Sequence, residues 1–148
     1  MTIDNILVAV DFNEPVGEML SYAESFAEKF KAKVWLLHVA EPDPDFKKFK
    51  SGPQYIRETK AEEFRQEHRL LQQLCDSFIE KEIASDALFI QGGTVETVLE
   101  EAKKLHTDMM IVGTHKHGFF YNLFSESVSM EILKKSEIPV FTVPIDED

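Results

Sequence analysis

Five short apolar runs recur along the chain, and each has the length and composition of a strand buried on both faces. Between them lie longer segments in which apolar residues recur every three or four positions, the period of a helix. The chain is therefore predicted to alternate strands with helices. The predicted strands are Ile6–Val10, Lys33–Val39, Ala87–Gln91, Met109–Val112 and Val140–Val143.

Four amphipathic helices are predicted between these strands. The first is expected to be capped by Asn13, with Pro15 in its first turn. The second runs from about Tyr55 to Lys81, the third is capped by Thr94, and the fourth runs from Glu126 to about Ser136. The residues predicted to face inward are Val16, Met19, Leu20, Ala23, Phe26, Ala27 and Phe30, then Phe64, Leu71, Leu74, Cys75 and Phe78, then Val95, Val98, Leu99, Ala102 and Leu105, and finally Val128, Ile132 and Leu133.

The alternation of strands and helices indicates an α/β fold, a parallel sheet covered by helices on both faces. A chain of 148 residues is long enough for one domain, and we expect a single domain over residues 1–148. In such sheets ligands lie outside the carboxyl ends of the strands. The candidate crevice is therefore bounded by Asp11, Val39 and the loop after Gly113.

Charge and cysteine content restrict the function classes. The net charge is -11, from 27 acidic and 16 basic residues, which disfavours binding to nucleic acid or to an anionic membrane surface. One cysteine, Cys75, excludes an internal disulfide framework and is expected to be buried and inert. The N-terminus has no secretory signal and no apolar run is long enough to span a membrane, so we expect a cytoplasmic protein.

The segment from Met109 to Ser129 carries the candidate chemistry. It is predicted to be a buried strand, a turn opened by Gly113, a loop and the start of a helix. Unpaired N–H groups and the helix dipole make such a helix N-terminus an anion site. The segment also supplies hydroxyl groups and potential cations, namely Ser125, Ser127, Ser129, His115, Lys116 and His117.

Four segments of the chain resemble the universal stress protein family: ILVAVDFNE, LLHVAEP, QGGTVETVLEEAKKLHTDMMIVGTHKHG and SVSMEILKKSEIPVFTVP. The resemblance implies a Rossmann-like, adenine nucleotide alpha hydrolase-like three-layer sandwich with a five-stranded parallel sheet in the order 3-2-1-4-5. It also implies a homodimer formed through the last strand, Val140 to Val143. Some members of the family bind ATP and others do not.

The ATP-binding members carry the motif G-x-x-G-x9-G-[S/T] after the fourth strand. In this sequence Gly113 and Ser127 match the first glycine and the final hydroxyl, whereas Lys116 and Glu126 replace the other two glycines. Gly118 lies nearby but does not restore the spacing. The residues that the resemblance assigns to the crevice are Asp11, Val39, Gly113, Thr114, His115, Lys116, Glu126, Ser127, Val128 and Ser129.

The two replacements have different physical effects. Lys116 removes backbone freedom but adds a cation. Glu126 places a carboxylate at a helix N-terminus, where the dipole stabilises it by about 0.3–1 kcal/mol and where it opposes a triphosphate. We therefore expect ATP binding to be weak or absent, with Mg²⁺ present only if ATP binds.

Several of these residues also have structural interpretations. Asp11 is equally consistent with a turn that caps the first helix, Val39 with the core, and the serines with helix caps. The loop histidines and Asp11 suggest metal or acid–base chemistry only weakly, and no G-x-S-x-G elbow supports a hydrolase. The apolar segment from Phe119 to Phe124 is expected to form a lid, to pack under the fourth helix, or to bind a protein partner.

These observations lead to one main functional hypothesis and two alternatives. The main hypothesis is a non-catalytic stress-response dimer with an altered, weak nucleotide crevice and no catalytic residues. The first alternative is an ATP-binding regulatory switch with the nucleotide at the loop between the fourth strand and the fourth helix. The second alternative is a slow ATPase at the same site.

Overall fold

The computed structural model describes residues 1–12, 14–40, 54–115 and 126–145, and the account of the fold concerns these residues. Five strands and four helices alternate within this part of the chain. The strands are β1 (Asn5–Ala9), β2 (Lys33–Ala40), β3 (Ser85–Gln91), β4 (Met109–His115) and β5 (Val140–Ile145). The helices are α1 (Gly17–Phe30), α2 (Gln54–Glu80), α3 (Thr94–Lys104) and α4 (Glu126–Lys135).

The five strands form one parallel sheet in the order β3-β2-β1-β4-β5. This confirms the strand order that the family resemblance implies. Strands β1 and β4 are neighbours in the sheet although β2 and β3 lie between them in the chain, so the strand order reverses between them, and their carboxyl ends lie side by side. A sheet of this kind places its ligand crevice at that point.

Each face of the sheet has its own apolar core, which makes the domain a three-layer sandwich. On one face α1 and α2 pack against side chains such as Ile6, Leu36 and Ile111. On the other face α3 and α4 pack against side chains such as Leu7 and Met110. Successive residues of a strand point to opposite faces, so continuous apolar runs supply both cores.

The N-terminal edge of the sheet is held by one carboxylate. Asp108, just before β4, accepts hydrogen bonds from the backbone N–H groups of Asp4 at 2.8 Å and Asn5 at 3.0 Å. Because Asn5 begins β1 and Asp4 immediately precedes it, the contact fixes the register in which β1 and β4 leave this edge. It thereby sets where their carboxyl ends meet at the opposite edge.

Several predicted boundaries are wrong. The helix α1 begins at Gly17 with Val16 as its N-cap, so Pro15 precedes the helix instead of lying in its first turn. Asn13, the expected cap, lies outside the described residues. Thr94 is the first residue of α3, whose N-cap is Gly93.

The strand β4 extends through Gly113 to His115, so Gly113 does not open a turn. The strand β5 likewise extends beyond Val143 to Ile145 and includes Pro144. Both strands are longer than their apolar runs because they pair with each other from Met110 and Val140 through to His115 and Ile145.

Two side chains predicted to face inward are exposed instead. Phe30 at the end of α1 is 43% exposed, and Leu133 on α4 is 40% exposed. Burial of Cys75 is confirmed, as is burial of most of the helical stripes.

Among the described residues, no helix is long and apolar enough to cross a membrane.

Candidate functional site

The carboxyl ends of β1, β2 and β4 bring three of the predicted crevice residues to one edge of the sheet. Asp11 follows β1, Val39 is the next-to-last residue of β2, and Gly113 lies near the end of β4. The first residue of α4, Glu126, begins the helix whose buried face packs behind β4. The fold therefore brings these residues to the edge of the sheet at which the sequence predicts a crevice.

Asp11 lies at the start of a tight turn. Its side chain is 1% exposed, and its carbonyl accepts a hydrogen bond from the N–H of Glu14 at 3.2 Å. The interpretation of Asp11 as a turn residue is confirmed. The interpretation as a helix cap is wrong, because the N-cap of α1 is Val16, five residues further along the chain.

Val39 belongs to the core on the α3 and α4 face of the sheet. Its side chain has no solvent exposure and clusters with apolar residues that include Val95 and Val98 of α3. Val39 is therefore a core residue, and a base would have to displace core side chains to contact it.

Gly113 is required for space and not for an unusual backbone angle. Among the described residues, no glycine has a positive φ, so an ordinary extended residue would suit the backbone at this position. A Cβ atom at Gly113 would collide with the Ile145 side chain and would lie 3.3 Å from the sulfur of Met19. The glycine therefore lets β5 and α1 pack closely against β4.

Ser129, one of the three candidate hydroxyls, is engaged by the backbone. It lies in the first turns of α4, is 2% exposed, and its Oγ donates a hydrogen bond to the carbonyl of Gly113 at 2.9 Å. This contact ties α4 to β4. It is neither a helix cap nor an open phosphate contact.

The other predicted crevice residues are described only in part. Thr114 is half-buried and pairs with Pro144 in the sheet, and Val128 is half-buried against the core behind β4. The backbone positions of His115, Glu126 and Ser127 are given by β4 and α4. Lys116, the other loop residues and the segment from Phe119 to Phe124 lie outside the described residues.

Residues 1–12, 14–40, 54–115 and 126–145 contain no cluster of three or more His, Cys, Asp or Glu side chains that could hold a metal ion. The described side chains at this edge of the sheet include the Asp11 carboxylate, the Thr114 and Ser129 hydroxyl groups and the apolar side chain of Val39.

His38 is a polar residue beside the crevice to which the sequence assigned no role. It lies inside the apolar run of β2, and its two ring nitrogens contact the carbonyl of Val10 at 2.8 Å and the carboxylate of Glu67 at 3.0 Å. The sequence gives one indication of this role, the position of His38 inside an apolar strand. A buried histidine needs hydrogen-bond partners for its ring nitrogens, and His38 is 3% exposed in the structure.

Comparisons with known proteins agree with this geometry. A model of the universal stress protein family matches residues 2–144. The chain is 29% identical to universal stress protein C of Escherichia coli O157:H7, with 100% of both chains covered. Its fold is similar to that of a universal stress protein family member from Burkholderia pseudomallei, with a TM-score of 0.73, 19% identity and 96% of each chain covered.

A further solved structure of similar fold contains a nucleotide. The universal stress protein from Archaeoglobus fulgidus in complex with dAMP has a TM-score of 0.61 and 17% identity, and the similarity covers 99% of this chain and 100% of the other.

Replacing Gly113 by alanine tests the packing at the crevice floor. The added methyl group must displace Ile145, so we expect the Gly113→Ala variant to lose about 1–3 kcal/mol of unfolding free energy. The Ile145→Val variant lacks the terminal methyl group that collides, and in that background the alanine should cost less. Urea unfolding of both single variants and the double variant should give a coupling of at least about 0.5 kcal/mol. If the losses of unfolding free energy in the two single variants simply add in the double variant, residue 113 does not pack against Ile145 as described.

Proposed function

The chain belongs to the universal stress protein family, and from this premise we propose that it is a cytoplasmic, non-catalytic regulatory dimer with an altered and weak adenine-nucleotide crevice. Its output would be contact with a protein partner. The nucleotide would act, if at all, as a weak modulator of that contact.

The observation that carries the proposal is the closure of the crevice floor. Asp11, Val39 and Ser129 together present almost no surface to a ligand. The hydroxyl proton of Ser129 is already used by the Gly113 carbonyl. A nucleotide would have to break this hydrogen bond and open core packing, and both changes reduce its net affinity.

Electrostatics support the same conclusion. Glu126 is the first residue of α4, a position at which the helix dipole favours a negative charge. The net charge of -11 adds an unfavourable field for any polyanion. A triphosphate therefore meets a like charge at the end of the helix that would otherwise attract it.

The second candidate function is a nucleotide-dependent switch. It is favoured by one observation, the dAMP bound to the relative from Archaeoglobus fulgidus, which shares this fold. A monophosphate carries less charge than ATP and tolerates Glu126 better. The switch uses the same crevice as the main proposal, but it requires a higher affinity for the nucleotide.

Restoring the two missing glycines tests the proposed cause of weak binding. The Lys116→Gly, Glu126→Gly double variant should bind ATP with Mg²⁺ at least about tenfold more tightly than the unmodified chain, because removing one close like charge is worth about 1.4 kcal/mol or more. Isothermal titration calorimetry gives the affinities. The Glu126→Gln variant serves as control, since it removes the charge without adding backbone freedom. No gain in the double variant would refute the proposal.

The proposed dimer uses β5, the strand at one edge of the sheet. The N–H of Met110 donates to the carbonyl of Pro139 at 2.9 Å, so odd-numbered residues of this segment direct their backbone groups toward β4. The backbone groups of Val140, Thr142 and Pro144 therefore face outward. Pro144 has no N–H, which limits pairing with a second strand to Val140 and Thr142.

Apolar side chains flank this edge on the α1 side. Tyr22 and Phe26 of α1 each have their ring centroid 5.1 Å from that of Phe141 on β5, and Phe26 stacks with Phe30. Tyr22 and Phe30 are both exposed. Four aromatic rings thus form a strip beside the edge strand.

The α4 side of the edge is apolar as well. Lys135 of α4 lines a groove together with residues of α3, so the side of α4 that carries Lys135 faces α3. The opposite side of α4 faces away from α3, toward β5. Leu133 lies on that side with Met130 next to it, and both are exposed. An edge strand with apolar flanks on both faces supports a homodimer.

The outward backbone groups favour one register. In a two-fold antiparallel pair, Val140 of each protomer would exchange both hydrogen bonds with Thr142 of the other. The axis would then pass beside Phe141, which would pack against its own copy in the adjacent non-hydrogen-bonded position.

Replacing Thr142 by proline tests this interface. The substitution removes an outward N–H and leaves the bonds to β4 in place, so the fold should persist while the dimer weakens by at least about tenfold. Sedimentation equilibrium measures the dissociation constant, and circular dichroism checks the fold. Thr142→Ala, which keeps the N–H, is the matched control. A dimer of unchanged affinity in the folded proline variant would exclude β5 pairing.

A further inference from the structure

The strand β3 forms the edge of the sheet opposite to β5, and no strand among the described residues pairs with its outer side. The N–H of Gly92 donates to the carbonyl of Ala40 at 3.2 Å, and the carbonyl of Ala84 accepts from the N–H of Val34 at 2.9 Å. Even-numbered residues of this segment therefore direct their backbone groups toward β2. The residues whose backbone groups face outward are Ser85, Ala87, Phe89 and Gln91.

This edge offers an uninterrupted row of backbone donors and acceptors. None of the four outward residues is proline, whereas Pro144 interrupts the corresponding row on β5. The apolar side chains of the strand are half-buried on both faces, Ala87 and Phe89 on the α2 side and Leu88 and Ile90 on the α3 side. An extended peptide can add to such an edge as a further strand.

The helix α2 overhangs the same edge. Glu67 contacts His38 on β2 at 3.0 Å, while the ring of His68 stacks on that of Phe89 on β3, with centroids 5.7 Å apart. One step along the helix therefore turns from β2 to β3, which is the outward direction. Side chains that lie further around the helix in the same sense extend beyond the outer edge of β3.

Three polar side chains of α2 lie in this overhang. Gln72 and Arg65 follow His68 around the helix by about 40° and 60°, and Arg69 follows it by about 100°. Together with His68 they line a groove of about 350 Å³. The arginine side chains are 62% and 65% exposed, so their guanidinium groups are accessible to a ligand in the groove.

The two arginines already share one carboxylate. Nε and Nη2 of Arg65 lie 3.1 Å and 2.9 Å from Oε2 of Glu62, and Nη2 of Arg69 lies 3.2 Å from Oε1. A guanidinium has five N–H donors, so both arginines retain donors for a second carboxylate. The three side chains carry one net positive charge. In a chain with a net charge of -11, this is a local surface that favours an acidic ligand over a basic one.

We propose that β3 and the Arg65 face of α2 form a docking groove for an extended acidic segment of a partner protein, which adds to the sheet beside β3. Successive side chains of the added strand would point alternately to the α2 face and to the α3 face. Carboxylates on the α2 face would reach Arg65 and Arg69, and apolar residues on the other face would cover Leu88 and Ile90. The inference names the partner class of the proposed function and rests on that proposal only for the premise that the output is a protein contact.

A second copy of this chain fits the edge less well. A two-fold axis that pairs two β3 strands in antiparallel fashion is perpendicular to the sheet, so the α2 helices of both protomers lie on the same face. Arg65 and Arg69 of each protomer would then meet those of the other across the junction. Both the like charges and the overhanging side chains oppose this contact.

Peptide binding tests the charge preference of the groove. The probe is a fluorescein-labelled peptide as long as β3, Val-Glu-Val-Glu-Val-Glu-Val, and the control peptide carries lysine in place of glutamate. Fluorescence anisotropy should show that the unmodified chain binds the glutamate peptide at least about tenfold more tightly than the lysine peptide. Equal affinities for the two peptides, or no saturable binding of the glutamate peptide up to about 1 mM, would overturn the proposal.

Charge reversal identifies the groups responsible. The Arg65→Glu, Arg69→Glu double variant should prefer the lysine peptide, because the sign of the overhang is reversed. The Lys103→Glu, Lys104→Glu double variant makes the same change of net charge at the end of α3 and should keep the preference for glutamate. A reversed preference in this control variant would assign the effect to the overall charge of the protein and would overturn the groove.

The backbone pairing has its own test. The Ala87→Pro variant removes an outward N–H and keeps the bonds to β2, so the glutamate peptide should bind at least about tenfold more weakly. Ala87→Ser, which keeps the N–H, is the matched control, and circular dichroism checks the fold. Amide hydrogen exchange of the unmodified chain needs no variant: the peptide should slow exchange at Ala87 and Phe89. Unchanged exchange at both amides in the presence of saturating peptide would exclude pairing with β3.

The Thr142→Pro variant separates this inference from the proposed dimer. Since β3 and β5 are opposite edges of the sheet, the variant should bind the glutamate peptide with unchanged affinity. Failure of the dimer or of the nucleotide prediction would therefore leave the docking groove standing. Self-association that Ala87→Pro abolishes and Thr142→Pro does not would assign β3 to a second copy of the chain and would overturn the proposal.

Discussion

The close approach of β5 and α1 to β4 at Gly113 is the constraint on which the rest of the site depends. A Cβ atom at this position would collide with Cδ1 of Ile145 and would lie 3.3 Å from the sulfur of Met19, so a larger residue would force the Ile145 side chain to move. The same residue gives its carbonyl to Ser129 and thereby ties down the start of α4. The crevice floor is consequently part of the core, and its shape is set by packing before any ligand is considered.

This constraint changes the meaning of the glycine motif. In the family resemblance Gly113 is the first glycine of a phosphate loop, yet here a structural reason for it is sufficient. Gly113 alone does not distinguish a phosphate-binding role from a packing role. The other two glycines of the motif would distinguish them, and in this chain they are replaced by Lys116 and Glu126. A universal stress protein can therefore retain the fold and the first glycine of the motif for reasons of packing alone, and we propose that this one acts through protein contacts at the edge strand β5.

The sequence predicted the architecture well, because apolar runs and helical stripes report directly on burial. It failed where tertiary packing decides. Gly113 is typical of a turn in the sequence, but pairing with β5 continues the strand through it. Phe30 and Leu133 fit the apolar stripes but flank an edge strand and stay exposed. The partners of His38 come from β1 and from α2, and no local pattern could reveal contacts between such distant segments.

The central claim is that the crevice floor is closed by its own packing. The most direct test is an amide NMR titration of the unmodified chain with ATP and Mg²⁺, following Asp11, Val39, Gly113 and Ser129. We predict that these four amides do not shift at ATP concentrations up to about 100 μM, which corresponds to a binding free energy weaker than about -5.5 kcal/mol. Saturable shifts of all four amides at micromolar ATP would show that the floor opens readily and would contradict the account.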